Sequence, residues 1–208
     1  MEDGLGAYEV KDYATAHSQW MILAQDKTAS GLWAQYYLGV LYEYGLGVPV
    51  DRAKARAFYE PTYIKVIRYI MHEEVVKKAN EALPIDAVHR LAIFDVARSL
   101  EMEKSENKKD RRMASSVMQN ARIALDVAGF YRHAESFYKV GLLELNGTGK
   151  NFLRNKKSAW AHFTLAAELG HQKAAERAAE LFKKFNRYQK SEAQDILEDY
   201  RPYIRPPY

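Results

Sequence analysis

The stretch from Ala34 to Asp51, AQYYLGVLYEYGLGVPVD, decides the fold. Its apolar and aromatic residues recur with helical spacing as far as Tyr44. The Gly-x-Gly that follows predicts a tight exit from this helix, because glycine adopts positive φ angles at little cost. Asp51 is a residue type that commonly caps the start of a helix. The stretch therefore predicts two antiparallel helices that are joined by a glycine turn.

A second, looser copy of this pattern begins at Ser136. The shift between the copies is 102 residues before the turn, from Gly39 to Gly141, and 104 residues after it, from Ala55 to Ala159. The second turn is therefore two residues longer than the first. The positions that correspond before and within the turn are Leu38, Gly39, Gly45 and Gly47 in the first copy and Val140, Gly141, Gly147 and Gly149 in the second.

Two glycines lie inside the predicted helices, where glycine costs about 1 kcal/mol in propensity relative to alanine. This cost is tolerable at Gly39 and Gly141 if the absent side chain lets a second helix come close. Asn155, like Asp51, can accept a hydrogen bond from the first amides of the following helix. Repetition of a helix–turn–helix unit is typical of an α-solenoid, and solenoids usually bind other macromolecules.

The two segments resemble the Sel-one-like repeat (SLR), a relative of the tetratricopeptide repeat. Its pattern runs Ala-x-x-x-Leu-Gly-x-x-Tyr-x-x-Gly-x-Gly-Val-x-x-Asp-x-x-Lys-Ala-x-x-Trp, followed by two alanines and a glycine. Residues 34–59 match this pattern closely, with Phe58 in the tryptophan position, and residues 136–171 match it less closely. The departures in the second segment are Ser136, Glu144 and Ser158.

This resemblance implies an all-α fold, a right-handed α-solenoid of antiparallel helix pairs with an atypical helical middle region. It also implies a non-enzymatic scaffold or adaptor that binds a protein or peptide partner. Because many SLR proteins are exported, it suggests a role in assembling or regulating a bacterial envelope complex. The expected location is periplasmic or secreted if a leader has been removed, and cytoplasmic otherwise.

The pattern predicts one solenoid domain over residues 1–200. Repeat-like residues 4–60 and 131–185 flank a divergent helical region, residues 61–130, and a closing helix covers residues 191–200. Pro61 predicts that the second helix of the first repeat ends or kinks near Glu60. Residues 201–208, RPYIRPPY, predict an extended, polyproline-like tail that docks on the chain itself, contacts another molecule or frays.

The divergent region keeps helical periodicity although no repeat is evident in it. Apolar stripes predict one helix that ends at Pro84 and two more, from about Asp86 to Glu103 and from about Asp110 to Ala128. The charged run between the last two predicts a loop. The break in the repeat also motivates a competing hypothesis, an enzyme or carbohydrate-binding site in residues 61–130. Its candidate residues are Glu73, Glu74, His89 and Asp95.

Composition narrows the classes of function. The chain has 208 residues, of which 48% are hydrophobic, and it contains no cysteine, which excludes disulfides, thiolate metal sites and cysteine nucleophiles. No apolar run approaches the roughly 20 residues that cross a bilayer. The net charge is +4, but the 31 basic residues are scattered among 27 acidic ones. The charge pattern therefore argues against a nucleic-acid partner.

The sequence contains no catalytic, metal or cofactor motif. No histidine forms an HExxH arrangement, and no Gly-Lys-Ser/Thr follows either Gly-x-Gly. His162 falls where the repeat has an aromatic residue, so we expect it to pack there rather than to bind a ligand. His171 follows Gly170 at a position where it can cap a turn. We therefore predict that the chain is not an enzyme and uses no cofactor.

The fifteen tyrosines are the unusual feature of the composition. The repeat pattern places Tyr42 and Tyr59 in the core, whereas Tyr37 and Tyr44 lie off that stripe and are predicted to line a binding groove. Tyrosine gives a large contact area with little loss of entropy. The predicted partner-binding residues are Tyr37, Tyr44, Tyr63, Tyr203 and Tyr208. The sequence does not set an oligomeric state.

Overall fold

The computed structural model describes residues 1–71, 83–147 and 154–205, except for the side chains of residues 67–71. Within these ranges every regular element is a helix, which confirms the all-α prediction. The α-helices are α1 (Glu2–Glu9), α2 (Tyr13–Leu23), α3 (Ala29–Tyr44), α4 (Arg52–Met71), α5 (Ile85–Lys104), α6 (Lys108–Phe130), α7 (Ala134–Asn146), α8 (Lys156–Glu168), α9 (Gln172–Lys183) and α10 (Arg187–Tyr200). A 3-10 helix, Arg201–Tyr203, follows α10.

The helices form two compact units, Met1–Leu91 and Ala92–Tyr208, and the boundary between them falls within α5. Each unit has its own hydrophobic core. The core of the first unit includes Trp20 and Leu38, and that of the second includes Phe137 and Phe163. The single domain over residues 1–200 stays a prediction.

Each repeat hairpin is held together by a glycine that lies against an aromatic ring. A Cβ atom on Gly39 of α3 would lie 2.3 Å from Cε1 of Tyr59 on α4. A Cβ atom on Gly141 of α7 would lie 2.6 Å from Cδ1 of Phe163 on α8. Tyr59 and Phe163 correspond through the 104-residue shift. The prediction that both glycines are contact points between helices is confirmed.

The turns inside the hairpins also follow the prediction. Gly45 and Gly147 have φ angles of +69° and +65°, in the left-handed region that glycine tolerates. Asp51 Oδ1 accepts a hydrogen bond from the Lys54 N–H at 2.9 Å. Asn155 Oδ1 accepts one from the Ser158 N–H at 3.1 Å. Both predicted helix caps are therefore confirmed, while Gly149 lies outside the described residues.

The helix that contains Pro61 does not end near Glu60. α4 continues through the proline to Met71. Its buried face runs on across this point, with the fully buried residues Tyr59, Thr62 and Val66 at helical spacing. Proline inside a helix costs about 3 kcal/mol. Packing of this continuous face offsets that cost, which the local sequence pattern could not reveal.

Three corners between consecutive helices share one geometry. Lys11, Arg132 and Gly170 have φ angles of 63°, 70° and 95°. In each corner this residue donates its N–H to the carbonyl three positions back, and the next residue donates to the carbonyl five positions back from itself. The corners after α6 and α8 lie 38 residues apart, from Arg132 to Gly170. α6 therefore ends as a repeat's second helix does, although its sequence carries no recognisable repeat.

The rest of the divergent region and the C-terminal helices agree with the prediction in outline. α5 and α6 confirm the two predicted helices. In the loop between them, Arg111 donates to the carbonyls of Ser105 and Glu106. The helix predicted to end at Pro84 lies partly outside the described residues. α10 begins earlier than predicted, where Asn186 and Gln189 form a capping box. The segment after α10 starts as a 3-10 helix, so it is not extended throughout.

Candidate partner-binding surfaces

Tyr37 lies inside the aromatic cluster of the first unit. Its ring stacks on Trp20 with a centroid distance of 4.8 Å and an angle of 17°. It also lies 6.2 Å from the ring of Tyr8 and 6.0 Å from that of Trp33. Burial, followed by the neighbouring Tyr8, raises the pKa of Tyr37. Tyr37 is thus half-buried against the core of the unit, and its predicted role in a groove stays a prediction.

Tyr44, in contrast, is a surface residue at the end of α3. Its side chain is 57% exposed. Its hydroxyl accepts a hydrogen bond from the guanidinium of Arg90 at 3.0 Å, and that guanidinium lies 5.6 Å from the centre of the tyrosine ring. The ring is thus both accessible and held in place, as an aromatic anchor in an interface would be.

A network of charges in the first unit fixes the arginine beside Tyr44. Arg90 pairs with Asp86 at 2.6 Å and with Glu43 at 2.9 Å. The hydroxyl of Tyr36 donates to Asp86, and that of Tyr59 donates to Glu43, each at 2.7 Å. Burial and then the adjacent carboxylate raise the pKa of both tyrosines, so both hydroxyls stay protonated donors.

The remaining predicted tyrosines lie on other elements. Tyr63 is half-buried on α4. Tyr203 is 67% exposed in the 3-10 helix, with its ring 5.6 Å from that of Phe130. Tyr208 lies outside the described residues. Tyr37, Tyr44 and Tyr63 belong to the first unit and Tyr203 to the second, so a groove shared by these tyrosines stays a prediction.

An open cavity of about 590 Å³ lies in the second unit, beside α7 and the start of α9. Cavities of this size accommodate a ligand or several side chains of a peptide. Two lysines, an acid and an imidazole line it together with apolar and amide groups. The lining residues are Glu135, Tyr138, Lys139, Leu142, Gly170, His171, Gln172 and Lys173.

Hydrogen bonds hold the imidazole of this cavity in one orientation. His171 Nδ1 accepts from the Ala174 N–H at 3.1 Å, so it caps α9 as predicted. The proton of the neutral ring therefore sits on Nε2, which donates to Glu135 at 2.8 Å. Tyr138 stacks on the ring with centroids 4.3 Å apart. Burial opposes ionisation of Glu135, but His171 and Lys139 together lower its pKa. The wall of the cavity is thus organised before any partner binds.

Sequence reasoning missed a buried cluster of charges in the second unit. His162 is fully buried, and its Nε2 lies 3.0 Å from Asp126 Oδ1. Its Nδ1 lies 2.9 Å from Glu144 Oε2. Both acceptors are carboxylates, so both ring nitrogens donate and the ring is an imidazolium. Arg122 bridges the same two carboxylates, at 3.4 Å from Asp126 and 3.1 Å from Glu144.

This cluster replaces an aromatic pair of the first repeat. There Tyr42 stacks on Phe58 with centroids 5.7 Å apart and an angle of 14°. The corresponding residues of the second repeat are Glu144 and His162. Ser158, a third departure from the repeat, donates to Glu144 at 2.8 Å. Three departures from the repeat pattern, Glu144, Ser158 and His162, therefore contact one another, and their coincidence was the signal that could have revealed the cluster.

The cluster makes stability depend on pH. Burial disfavours the charged ring, but Asp126 and Glu144 outweigh it and raise the pKa of His162 from 6.5 to about 9. A raised folded-state pKa contributes stability that is complete below the unfolded value and is lost as pH rises through the folded value. We expect the midpoint of urea unfolding to fall between about pH 7 and pH 10. A His162→Phe chain, measured in parallel, should lack this step, and an equal fall in both chains would contradict the assignment.

Of the four residues of the competing hypothesis, the structure describes two, His89 and Asp95. Glu73 and Glu74 lie outside the described residues. His89 and Asp95 lie six residues apart on α5, which places them about 120° apart around the helix. In the described ranges, no group of three or more histidine, aspartate or glutamate residues is placed to hold a metal ion. No helix in these ranges is long and apolar enough to cross a membrane.

Comparison with known proteins relates the two hairpins to one repeat family. The family described as Sel1 repeat matches residues 34–61 and 134–171. The two hairpins are thus similar to Sel1 repeats. The two matched segments begin and end close to the limits that the glycine pattern indicated, so the resemblance to the SLR family is confirmed. No curated protein gives a match.

A solved structure with Sel1 repeats shares the fold. A Sel1 repeat protein from Oxalobacter formigenes superposes with a TM-score of 0.60 at 22% identity, over 96% of this chain and 68% of that protein. The chain is also similar to c5321, a protective antigen of uropathogenic Escherichia coli with an SLR fold. That match has a TM-score of 0.37 and 17% identity, over 97% of this chain and 54% of the other. The first likeness confirms the all-α solenoid fold.

Proposed function

We propose that this chain is a non-enzymatic scaffold or adaptor that binds a protein or peptide partner. Sel1 repeats generally mediate protein–protein interactions, and two hairpins of the chain are similar to them. The observation that carries the proposal is the cavity beside α7, because its polar side chains are already fixed by hydrogen bonds. A surface organised in advance loses little conformational entropy on binding.

The charges of the cavity suggest the chemistry of the partner. Lys139 and Lys173 line it, while the single acid, Glu135, is already engaged by Lys139 and His171. The surplus is positive, so a partner segment that carries carboxylates complements it. In the first unit, Tyr44 offers a second surface that is held by Arg90.

Charge reversal in the cavity tests this proposal. Full-length chains are used to capture partners from a lysate of the source organism, with quantification by mass spectrometry. We expect Lys139→Glu/Lys173→Glu to reduce capture of the main partner about tenfold, because like charges then face its carboxylates. The matched control, Lys183→Glu/Lys184→Glu, changes two exposed lysines that do not line the cavity, and it should retain the partner. Equal capture by both chains with unchanged melting curves would reject the cavity as the binding surface.

The tyrosines allow the same comparison in the first unit. Tyr44→Ala should weaken capture, whereas Tyr188→Ala, at a tyrosine that is 81% exposed, should not. Tyr37→Ala is unsuitable for this purpose because Tyr37 packs against the core, so its truncation would also change the stability of the unit. Loss of capture from Tyr188→Ala alone would place the partner on α10 instead.

We further propose that the complex belongs to the bacterial envelope. The support is the resemblance to a family with many exported members. The chain would be periplasmic or secreted if a leader is removed in the cell, and cytoplasmic otherwise. Fractionation of the source organism with an antibody against the chain tests this, and recovery only with cytoplasmic markers would rule out a periplasmic location.

A further inference from the structure

Residues 201–205, here called the docked segment, pack across two helix ends of the second unit. The guanidinium of Arg201 donates to Glu168, the last residue of α8, at 2.6 Å. The N–H of Arg205 donates to the carbonyl of Phe130, the last residue of α6, at 2.9 Å. The segment therefore connects the C-terminal ends of two helices that both terminate in the shared corner geometry.

Side-chain contacts fix the segment between these two points. Tyr203 lies with its ring 5.6 Å from that of Phe130. The guanidinium of Arg205 lies 4.0 Å from the ring centre of Tyr131, and Arg132 donates to the Arg205 carbonyl at 3.4 Å. Ile204 packs against the hydrophobic core of the unit. Backbone, aromatic, cationic and apolar contacts thus all engage a segment of five residues.

The chemistry of the helix ends explains why this segment fits. The last carbonyls of a helix lack partners within it, and the helix dipole makes this end negative. An N–H from the segment satisfies one such carbonyl at Phe130. Arginines lie at both ends of the segment, where positive charge is favoured, and Tyr131 adds a cation–π contact to one of them. Glu168 adds a full negative charge at the other.

We propose that these helix ends form a peptide-binding track and that the docked segment is its resident ligand. The track consists of Phe130, Tyr131, Arg132 and Glu168. It fits a peptide that begins with a 3-10 turn and carries two arginines four positions apart with an aromatic residue between them. An outside peptide of this kind binds the track only when the docked segment leaves. This inference goes beyond the proposed function and does not depend on the cavity beside α7.

The competition between the two ligands can be measured with the full chain. The probe is a fluorescent peptide with the sequence of residues 200–205, YRPYIR. Arg201→Asp/Arg205→Asp in the chain releases the docked segment and leaves the track itself unchanged. If the segment occupies the track about nine-tenths of the time, the released chain binds the peptide about tenfold more tightly than the unaltered chain. A peptide with aspartate at both arginine positions is the matched control and should not bind.

Two results would overturn the proposal. One is equal binding of the peptide to both chains, or binding to neither. The other is binding of the aspartate peptide as tight as that of the arginine peptide. Hydrogen exchange of the unaltered chain gives a second measurement that needs no variant. The Arg205 amide should exchange at least about tenfold more slowly than in the free peptide, and exchange at the free-peptide rate would equally reject the docked segment.

Discussion

Glu144→Tyr is expected to lower the free energy of unfolding by about 3–5 kcal/mol. It removes a carboxylate that is 4% exposed and that holds both His162 and Arg122. Breaking a buried pair is costly because the remaining charge keeps its desolvation penalty without its partner. Tyrosine is the residue at the corresponding position of the first repeat, so the repeat fold itself accepts it. Urea unfolding at pH 7 measures the loss.

The companion substitution decides whether the two positions act as a unit. His162→Phe removes one of the two cations that Glu144 and Asp126 share, leaves Arg122 as the other, and should cost a similar amount. Glu144→Tyr/His162→Phe rebuilds the aromatic pair that Tyr42 and Phe58 form in the first repeat. We expect the double variant to lose less than the sum of the single losses, with a coupling of about 0.5–3 kcal/mol. Additive losses would show that the two positions are not energetically coupled.

Gly39→Ala is expected to lower the free energy of unfolding by about 1–3 kcal/mol, through overpacking. The new Cβ atom would lie 2.3 Å from the ring of Tyr59, whose hydroxyl is held by Glu43. Helix propensity alone favours alanine by about 1 kcal/mol, so the sign of the change distinguishes a contact from an exposed position. Gly39→Leu should cost more, and Gly141→Ala should cost less, since its contact with Phe163 is longer at 2.6 Å. Thermal and urea unfolding report the order of the three variants.

α1 offers a matched control for this series. A Cβ atom on Gly6, which is helical and exposed, would meet no heavy atom within 4 Å. Gly6→Ala should therefore stabilise the chain by up to about 1 kcal/mol. A gain of the same size from Gly39→Ala would mean that Tyr59 does not press on α3, and the close helix contact would have to be given up.

Positions with few permitted residue types could be predicted from the sequence. Gly39 and Gly141 allow close approach, Asp51 and Asn155 cap helices, and His171 caps a corner, so each requirement shows in the residue itself. The course of α4 beyond Pro61 could not be predicted, because the packing that sustains it comes from another helix. The corner after α6 could not be predicted for a related reason. Its geometry is set by backbone hydrogen bonds, which are compatible with many different side chains.

The candidate surfaces were less accessible to prediction than the fold. Periodicity placed both Tyr44 and Tyr37 on the surface. It could not show that Tyr37 packs against other aromatic rings, because residues of several helices form that cluster. The charged cluster was hidden because Arg122, Asp126 and Glu144 each look like solvent-facing residues when their helices are read one at a time. Only the comparison of the two repeats, position by position, marks Glu144 and His162 as partners.

The glycine turns have a consequence for how such chains lengthen. Asp51 donates its N–H to the Tyr42 carbonyl, and Asn155 donates to the Glu144 carbonyl, both at 2.9 Å, although the second turn holds two more residues. The two ends of the loop are thus joined by the same backbone hydrogen bond in both repeats, whatever the length of the loop. Doubling such a loop costs only about 0.6 kcal/mol in closure entropy. The corners after α6 and α8, by contrast, keep one hydrogen-bond pattern of fixed size. In the second unit, insertions can therefore accumulate at the glycine turn between α7 and α8 while the corners at the opposite end of these helices stay unchanged.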